Sequence, residues 1–281
     1  MKNNKSLGQH WLKNRIILDE IADLALPDEP QKPSGSPSSE APKLCLEIGP
    51  GLGTLTSSLL KRFQKVIAIE FDPELARKLP GSFPGKNLEV INQDILATDL
   101  SKLVGNEPYS VAGNIPYYIT SPIIKKLLET SPKPQKISLL IQKEVAERIA
   151  ADAGDQTLLS LTVQNLAEVE LGPVVPAAEF TPPPKVDSQV LVLTPLSEPQ
   201  IDPACLDLAK IGFSSPRKKL AANLSSVNLD VINPALANLS KTDWHQILEQ
   251  NSINPDARAE DLSLWDWENL ANFQSLDKLS R

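Results

Sequence analysis

From residue 43 onward short apolar runs alternate with helical patterns, and this alternation constrains the fold more than any other feature of the chain. Strands are predicted near 44–48, 65–70, 88–92, 109–113 and 136–141, with helices near 54–63, 73–79, 120–129 and 143–151 between or after them. A helix between successive strands carries the chain back to begin the next strand in the same direction, so the pattern implies a parallel sheet with helices on both faces. A further helix is expected over 158–166. The strand expected over 187–193 is reached through the Pro-rich stretch 173–184, which suits an antiparallel edge hairpin. Beyond Pro195 no strand is apparent, and amphipathic segments near 203–213, 216–224, 242–250 and 263–273 predict a small helical domain. The expected fold class is therefore α/β: a mostly parallel sheet with an antiparallel edge strand over 1–195, then a small all-α domain over 196–281. Before the first strand, 15–26 repeats Ile16, Ile17, Ile21 and Leu24 at helical spacing. The segment 27–42, dense in Pro, Ser, Gly and Glu, reads as a flexible insertion.

Composition narrows the class. The 281 residues are 41% hydrophobic, yet no apolar run approaches the roughly 18–20 residues needed to span a bilayer, so a soluble protein without a membrane partner is expected. The segment 1–15 is polar and basic and lacks the apolar core of a secretory signal. Cys45 and Cys205 lie far apart inside apolar patterns, which predicts buried thiols in a reducing cytoplasm and neither disulfide nor metal site. A monomer is the default.

The net charge of −7 argues against nucleic acid, whose binding relies on cations displacing counterions from phosphates. The distribution weakens that objection. Lys2, Lys5, Lys13 and Arg15 occur in 1–18 without an acid and Arg217-Lys218-Lys219 form a second cluster, whereas 228–281 hold nine acids and four bases. A polarised surface of this kind suits RNA on one side, although either cluster alone reads equally well as a solvated face.

The first apolar run leads directly into Gly49-Pro50-Gly51-Leu52-Gly53 and a helix from about Thr54. Residues without side chains let the backbone pass close under a ligand and leave a helix N-terminus pointing at it. The spacing is not the G-x-G-x-x-G of nicotinamide enzymes, whose third glycine would fall at Thr54. The G-x-G-x-G spacing after Glu47 resembles motif I of class I S-adenosylmethionine-dependent methyltransferases. Glu70 ends the second strand, where a carboxylate can accept from both ribose hydroxyls of a nucleoside. Asp94 ends the third, suited to an adenine amino group, and Asn114 ends the fourth. Singly, each is more often a turn or a cap. Four polar signals at four successive strand ends describe one crevice.

Asn114-Ile115-Pro116-Tyr117 gives that crevice a chemistry. The lone pair of an adenine 6-amino nitrogen is delocalised into the ring, and catalysis must localise it. The Asn114 side-chain oxygen and the Ile115 carbonyl are placed to accept the two amine hydrogens. Pro116 fixes its own φ and biases Ile115 away from the helical region, and Tyr117 offers a stacking face worth about 1–3 kcal/mol. A helical base must be extruded to enter such a site. Phe180, before Thr181-Pro182-Pro183-Pro184-Lys185, either supplies a second aromatic wall or anchors its loop on the core, with equal support from the pattern.

With these residues in view, the chain resembles the ribosomal RNA adenine dimethyltransferase family over nearly its whole length. The resembling stretches are Lys5-Ser6-Leu7-Gly8-Gln9-His10-Trp11-Leu12, 47–53, Asn92-Gln93-Asp94, 113–117, Gln142-Lys143-Glu144-Val145, 180–188, Phe213 with Arg217-Lys218-Lys219 and Asn223, and 254–260. The resemblance implies a Rossmann-like methyltransferase core with a helical C-terminal domain. The implied activity is dimethylation of two adjacent adenosines near the 3′ end of small-subunit ribosomal RNA, with S-adenosylmethionine as donor. It also implies that Gln9, His10 and Leu12 join Gly49, Gly51, Glu70, Asp94 and Asn114 around the cofactor, and that Arg217, Lys218 and Lys219 face RNA. Rival readings are a DNA amino-methyltransferase, a large-subunit RNA adenine methyltransferase, and a ribosome-assembly factor whose methylation is incidental. Three departures stand out: Tyr118 where bacterial relatives commonly carry Asn, Gln156-Thr157 where a Tyr-Gly pair is frequent, and the insertion at 27–42.

Overall fold

The computed structural model describes residues 9–28 and 43–274. Residues 1–8, which hold the start of the N-terminal signature, 29–42 of the expected insertion, and 275–281 lie outside the described residues. The chain divides into two compact units, Met1–Glu147 with Glu168–Pro195 and Arg148–Ala167 with Leu196–Arg281.

Seven strands of the main sheet are β2 (Leu44–Ile48), β3 (Lys65–Glu70), β4 (Leu88–Asn92), β5 (Tyr109–Asn114), β6 (Ile137–Gln142), β7 (Ala167–Val175) and β9 (Ser188–Pro195), and a separate two-stranded ribbon pairs β1 (Trp11–Leu12) with β8 (Phe180–Thr181). The sheet runs in the order β4-β3-β2-β5-β6-β9-β7, parallel from β4 to β6 and antiparallel between β6 and β9. The chain winds outward from β2 through β3 to β4, then resumes on the other side of β2 at β5. That reversal opens a crevice beyond the carboxyl ends of β2 and β5, the position where open α/β sheets take ligands. Every residue of β2 is buried, whereas β4 at the sheet edge is half-exposed.

Helices α1 (Arg15–Asp23), α2 (Thr54–Leu59), α3 (Pro73–Lys78), α4 (Leu100–Val104), α5 (Thr120–Glu129) and α6 (Lys143–Ile149) occupy the connections. The Asn14 carboxamide oxygen caps α1 by accepting from Ile16 and Ile17, and Asp72 caps α3 ahead of Pro73, whose missing N–H is an orphan there anyway. Leu18 and Ile21 of α1 pack with Leu55 and Leu59 of α2 and with Val66 and Val190 of the sheet.

The second unit consists of α7 (Leu158–Gln164), α8 (Cys205–Gly212), α9 (Leu220–Leu224), α10 (Lys241–Gln250) and α11 (Leu264–Ala271) around the fully buried Trp244 and Trp267. Gly212 lies so close under the Trp267 ring that a β-carbon there would collide with it. Ser240 and Ser263 open α10 and α11 with reciprocal capping boxes.

The expected order of elements is present, with four differences. The strand predicted at 187–193 is second from the sheet edge, because β7, not foreseen as a strand, lies outside it. The short helix α4 and the β1–β8 ribbon were also not foreseen; two-residue strands carry no periodicity to read. The helix expected over 216–224 begins only at Leu220. Finally, 148–167 cluster with the helical unit and not with the sheet. The buried Asn165 carboxamide makes that link, donating to Ile201 O at 3.2 Å and accepting from Ile201 N at 2.8 Å.

Candidate active site

A cavity of about 200 Å³ opens at the reversal point, lined among others by His10, Gly49, Glu70, Asp94, Asn114 and Tyr117. Gln9, Gly51, Ile115 and Pro116 line it too. The glycine loop forms its floor. Gly49, Gly51 and Gly53 all adopt positive φ, at 64°, 56° and 82°, three alternate left-handed positions that side-chain-bearing residues resist by about 1–2 kcal/mol each. A β-carbon at Gly51 would sit 3.3 Å from the Trp11 indole nitrogen, so the narrow space above this loop depends on glycine.

Glu70 closes one wall. Its Oε2 accepts from Gly51 N at 3.0 Å and its Oε1 from Asp72 N at 2.9 Å, and it is 5% exposed. Burial pushes its carboxyl up, against the pull of the amide donors of Asp72 and Gly51. Each carboxylate oxygen retains a second lone pair, so the two amides fix the side chain without exhausting it as an acceptor. Asp94 is exposed at the mouth, its Oδ1 accepting from Leu96 N at 2.8 Å. Beneath the loop Glu47 is 1% exposed with neither oxygen hydrogen-bonded. Burial drives its carboxyl up to about 8, reinforced by the Glu70 charge and opposed by neighbouring Thr56.

Asn114 ends β5. Its Nδ2 donates to the His10 carbonyl at 2.9 Å. A carbonyl can only accept, so this contact fixes which end of the carboxamide is nitrogen and leaves Oδ1 as the free acceptor. Ile115 buries its side chain to 2% exposure, and Pro116 holds an extended backbone at φ −60°, ψ 132° before the single turn Tyr117–Ile119. The Tyr117 ring is half-buried. Its hydroxyl bonds Ser188 Oγ at 2.7 Å, and the His10 ring stacks on it with centroids 6.1 Å apart and planes 17° from parallel. Burial raises the Tyr117 phenol, with Ser188 opposing and Asp187 adding to the shift. His10 Nδ1 lies 2.8 Å from Pro182 O, and because a carbonyl only accepts, Nδ1 carries the hydrogen of that contact.

Two predicted site residues face elsewhere. Leu12 (0% exposed) and Phe180 (3%) are cross-strand partners in the β1–β8 ribbon, and both side chains belong to the hydrophobic core, not to the cavity lining. Opposed residues of an antiparallel pair share a face while neighbours along a strand alternate, so Leu12 and Phe180 turn inward together and Trp11 turns to the cavity. Of the two readings of Phe180, its position is that of the loop anchor. Trp11, Phe71, Gln93 and Leu96 line the cavity without having been singled out as site residues, and Tyr118, noted in the sequence as a departure, lines it too. The alternation Gln9-His10-Trp11-Leu12 would have separated Trp11 from Leu12 had the short strand been recognised. Tyr118 is 65% exposed.

In the helical unit Arg217, Lys218 and Lys219 are exposed on the turn between α8 and α9. The buried Asn223 side chain shapes that turn, donating to Gly212 O at 2.6 Å and Ser215 O at 3.1 Å. Lys219 is committed to Asp256 at 2.5 Å, whereas Arg217 and Lys218 form no ion pair among the described residues. The unusual Gln156-Thr157 pair caps α7: Thr157 Oγ1 accepts from Ser160 N at 3.1 Å, and Gln156 Oε1 accepts from Ser160 Oγ at 2.5 Å. Cys45 and Cys205 are free and buried. No helix of the described residues is long and apolar enough to cross a membrane, and no group of three or more His, Cys, Asp or Glu among them is arranged to hold a metal.

A mostly parallel sheet with a glycine loop and acidic strand ends at its reversal point defines a Rossmann-like methyltransferase. The family model for ribosomal RNA adenine dimethylase matches residues 1–274, and the chain belongs to that family. It is 40% identical to ribosomal RNA small subunit methyltransferase A of Nostoc sp. (strain PCC 7120 / SAG 25.82 / UTEX 2576), over 99% of this chain and 100% of that one. It is 42% identical to the protein of the same name from Nostoc punctiforme, over 97% and 95%. Among solved structures it is similar to a dimethyladenosine transferase from Plasmodium falciparum (TM-score 0.73, 29% identity, 93% of this chain and 96% of that one). It is also similar to the 23S rRNA methyltransferase ErmE (TM-score 0.69, 27% identity, 93% and 98%).

Proposed function

We propose that this chain uses S-adenosylmethionine to dimethylate the 6-amino groups of two adjacent adenosines near the 3′ end of small-subunit (16S) ribosomal RNA during ribosome biogenesis. One observation carries the reading: the Asn114 carboxamide is held by His10 with its oxygen free, in the same cavity as the glycine loop and Glu70. The relatives at 40% and 42% identity are both named for the small subunit, which favours that substrate over the 23S RNA of the more distant ErmE.

The cavity residues fit the donor. The glycine loop leaves a cradle that a β-carbon at Gly51 would narrow, Glu70 keeps acceptor capacity for ribose hydroxyls, and Asp94 has an oxygen available for an adenine amino group. S-adenosylmethionine, when bound, supplies an electrophilic methyl group on a sulfonium centre. The protein's part is to orient the acceptor. Asn114 Oδ1 and the Ile115 carbonyl accept the two hydrogens of the target amine and draw its nitrogen out of conjugation, so that its lone pair is directed away from the ring. Tyr117 supports the base from one face, worth about 1–3 kcal/mol for a stacked base. The methylated amine is acidic and can release its proton to water, so no strong base is required. Arg217 and Lys218 are the cations available for phosphates, and the chain acts as a cytoplasmic monomer.

Label transfer from S-adenosylmethionine into immature small subunits, large-subunit RNA and duplex DNA tests the assignment. Transfer confined to the small subunit is expected, and transfer to duplex DNA or large-subunit RNA alone overturns it.

A further inference from the structure

Phe180 of the Pro-rich stretch anchors its loop in the core and supplies no aromatic wall to the cavity. What the stretch does touch is the pair of rings beside Asn114. Pro182 O accepts from His10 Nδ1 at 2.8 Å, and Ser188 Oγ bonds the Tyr117 hydroxyl at 2.7 Å. His10 in turn stacks on Tyr117 and accepts from Asn114 through its main-chain carbonyl. The contacts close a ring: Asn114 to His10, His10 to Pro182, along the chain to Ser188, and Ser188 to Tyr117.

The far side of this ring is rigid. Ser188 is 0% exposed and is the first residue of β9, opposite Gln142 of β6. Its neighbour Asp187 accepts from Lys143 N at 3.0 Å through its carbonyl and from Ala177 N at 2.9 Å through Oδ1. Successive prolines restrict the backbone between the two contact points. Tyr117, by contrast, stands on a single turn at the cavity rim, where a ring can swing about χ1 and χ2 unless something holds its tip.

We propose that residues 180–188 form a bracket and that Ser188 is a positioning residue, fixing the plane of Tyr117 so that the target amine meets Asn114 Oδ1 and the Ile115 carbonyl together. His10 covers part of one side of the Tyr117 ring and leaves the rest for the base. Ser188 itself touches neither base nor donor; it acts through the phenol. The inference rests on the proposed adenine chemistry, because a ring with no base to support would need no such restraint.

The test is a double-mutant cycle on small-subunit methylation with Ser188→Ala, Tyr117→Phe and the double variant. Wild-type transfer is measured first, and its absence would indict the adenine reading itself, not the bracket. With wild type active, each single variant should lose roughly tenfold or more in kcat, the scale on which small misplacements of reacting groups act. S-adenosylmethionine affinity and Tm should stay near wild type, and the double variant should be no worse than the poorer single one. Should Ser188→Ala fail to fold, Tyr117→Phe, which removes only the hydroxyl, carries the same expectation alone. Wild-type kcat in Tyr117→Phe or Ser188→Ala, or multiplicative losses in the double variant, would overturn the bracket, as would losses that track cofactor affinity.

Discussion

The Asn114 side-chain amide donates to the main-chain carbonyl of His10 at 2.9 Å, tying a residue at the end of β5 to one just before the β1–β8 ribbon. The bond does more than join two segments. It decides the sense of a side chain whose two ends are similar in shape, and it leaves free the acceptor that the proposed chemistry requires. Asn114→Ala removes that acceptor and should lower kcat by about a hundredfold or more, the scale of losing one preorganised polar group in a transition state. Asn114→Asp should be comparably impaired, since a carboxylate facing the His10 carbonyl has no hydrogen to give. S-adenosylmethionine titration of both variants should still show binding. Unchanged turnover in Asn114→Ala would remove the residue from the mechanism.

Gly51→Ala tests the cradle. The alanine must hold a φ near 56°, costing about 1–2 kcal/mol, and its methyl group meets the Trp11 indole nitrogen at 3.3 Å. Thermal unfolding should show the stability loss and calorimetry a weaker cofactor. An unaltered Kd would mean that the donor does not lie against this loop.

Glu47 predicts a pH dependence of stability. Its carboxyl has an ordinary value of 4.5 and is raised by burial to about 8 in the folded chain, so the folded state keeps a proton that the unfolded state releases. The stabilisation is complete below 4.5, declines as pH rises, and is lost above about 8. Glu47→Gln cannot ionise and should flatten the decline in Tm across that window. An identical slope in both proteins would place the pH dependence elsewhere.

Tyr118→Asn should leave kcat and cofactor affinity intact but raise KM for the RNA by about fivefold or more, corresponding to the lower end of the stacking range. The ring is 65% exposed at the cavity, beside the restrained Tyr117. A KM equal to wild type would make Tyr118 a bystander.

Arg217→Ala and Lys218→Ala should each weaken RNA binding and reduce the slope of log affinity against log salt by roughly 0.7–0.9. Lys219→Ala should do less, since Lys219 already answers Asp256. Binding curves at several salt concentrations separate the three, and an effect of Lys219→Ala larger than the other two would contradict the assignment.

The inner strands were legible because they are buried apolar runs whose ends carry unlike residues: Gly49, Glu70 and Asn114 each close such a run, whereas Asp94, expected to end the third strand, lies two residues beyond the end of half-exposed β4. Those four positions fall in one cavity for the same reason, since the ends of parallel strands share a side. Legibility ended where pairing is decided by tertiary contact. Nothing in the order Trp11-Leu12 or Phe180-Thr181 announces a ribbon, and the register Leu12↔Phe180 is what sends both side chains into the core. Strand β7 is Ala167–Val175, interrupted by Gly172 and Pro173, and its exposed residues conceal it from any apolar count. The pairing of Lys219 with Asp256 spans 37 positions and is likewise beyond a reading of local charge.

Mass-spectrometric mapping of the methylated nucleotides bears most directly on the adenine assignment. Purified protein and S-adenosylmethionine are incubated with immature small subunits, and the RNA is digested and sequenced by mass. Two neighbouring N6,N6-dimethyladenosines near the 3′ end of the small-subunit RNA are the predicted product. Methylation only at other nucleotides, or only in large-subunit RNA, would contradict it.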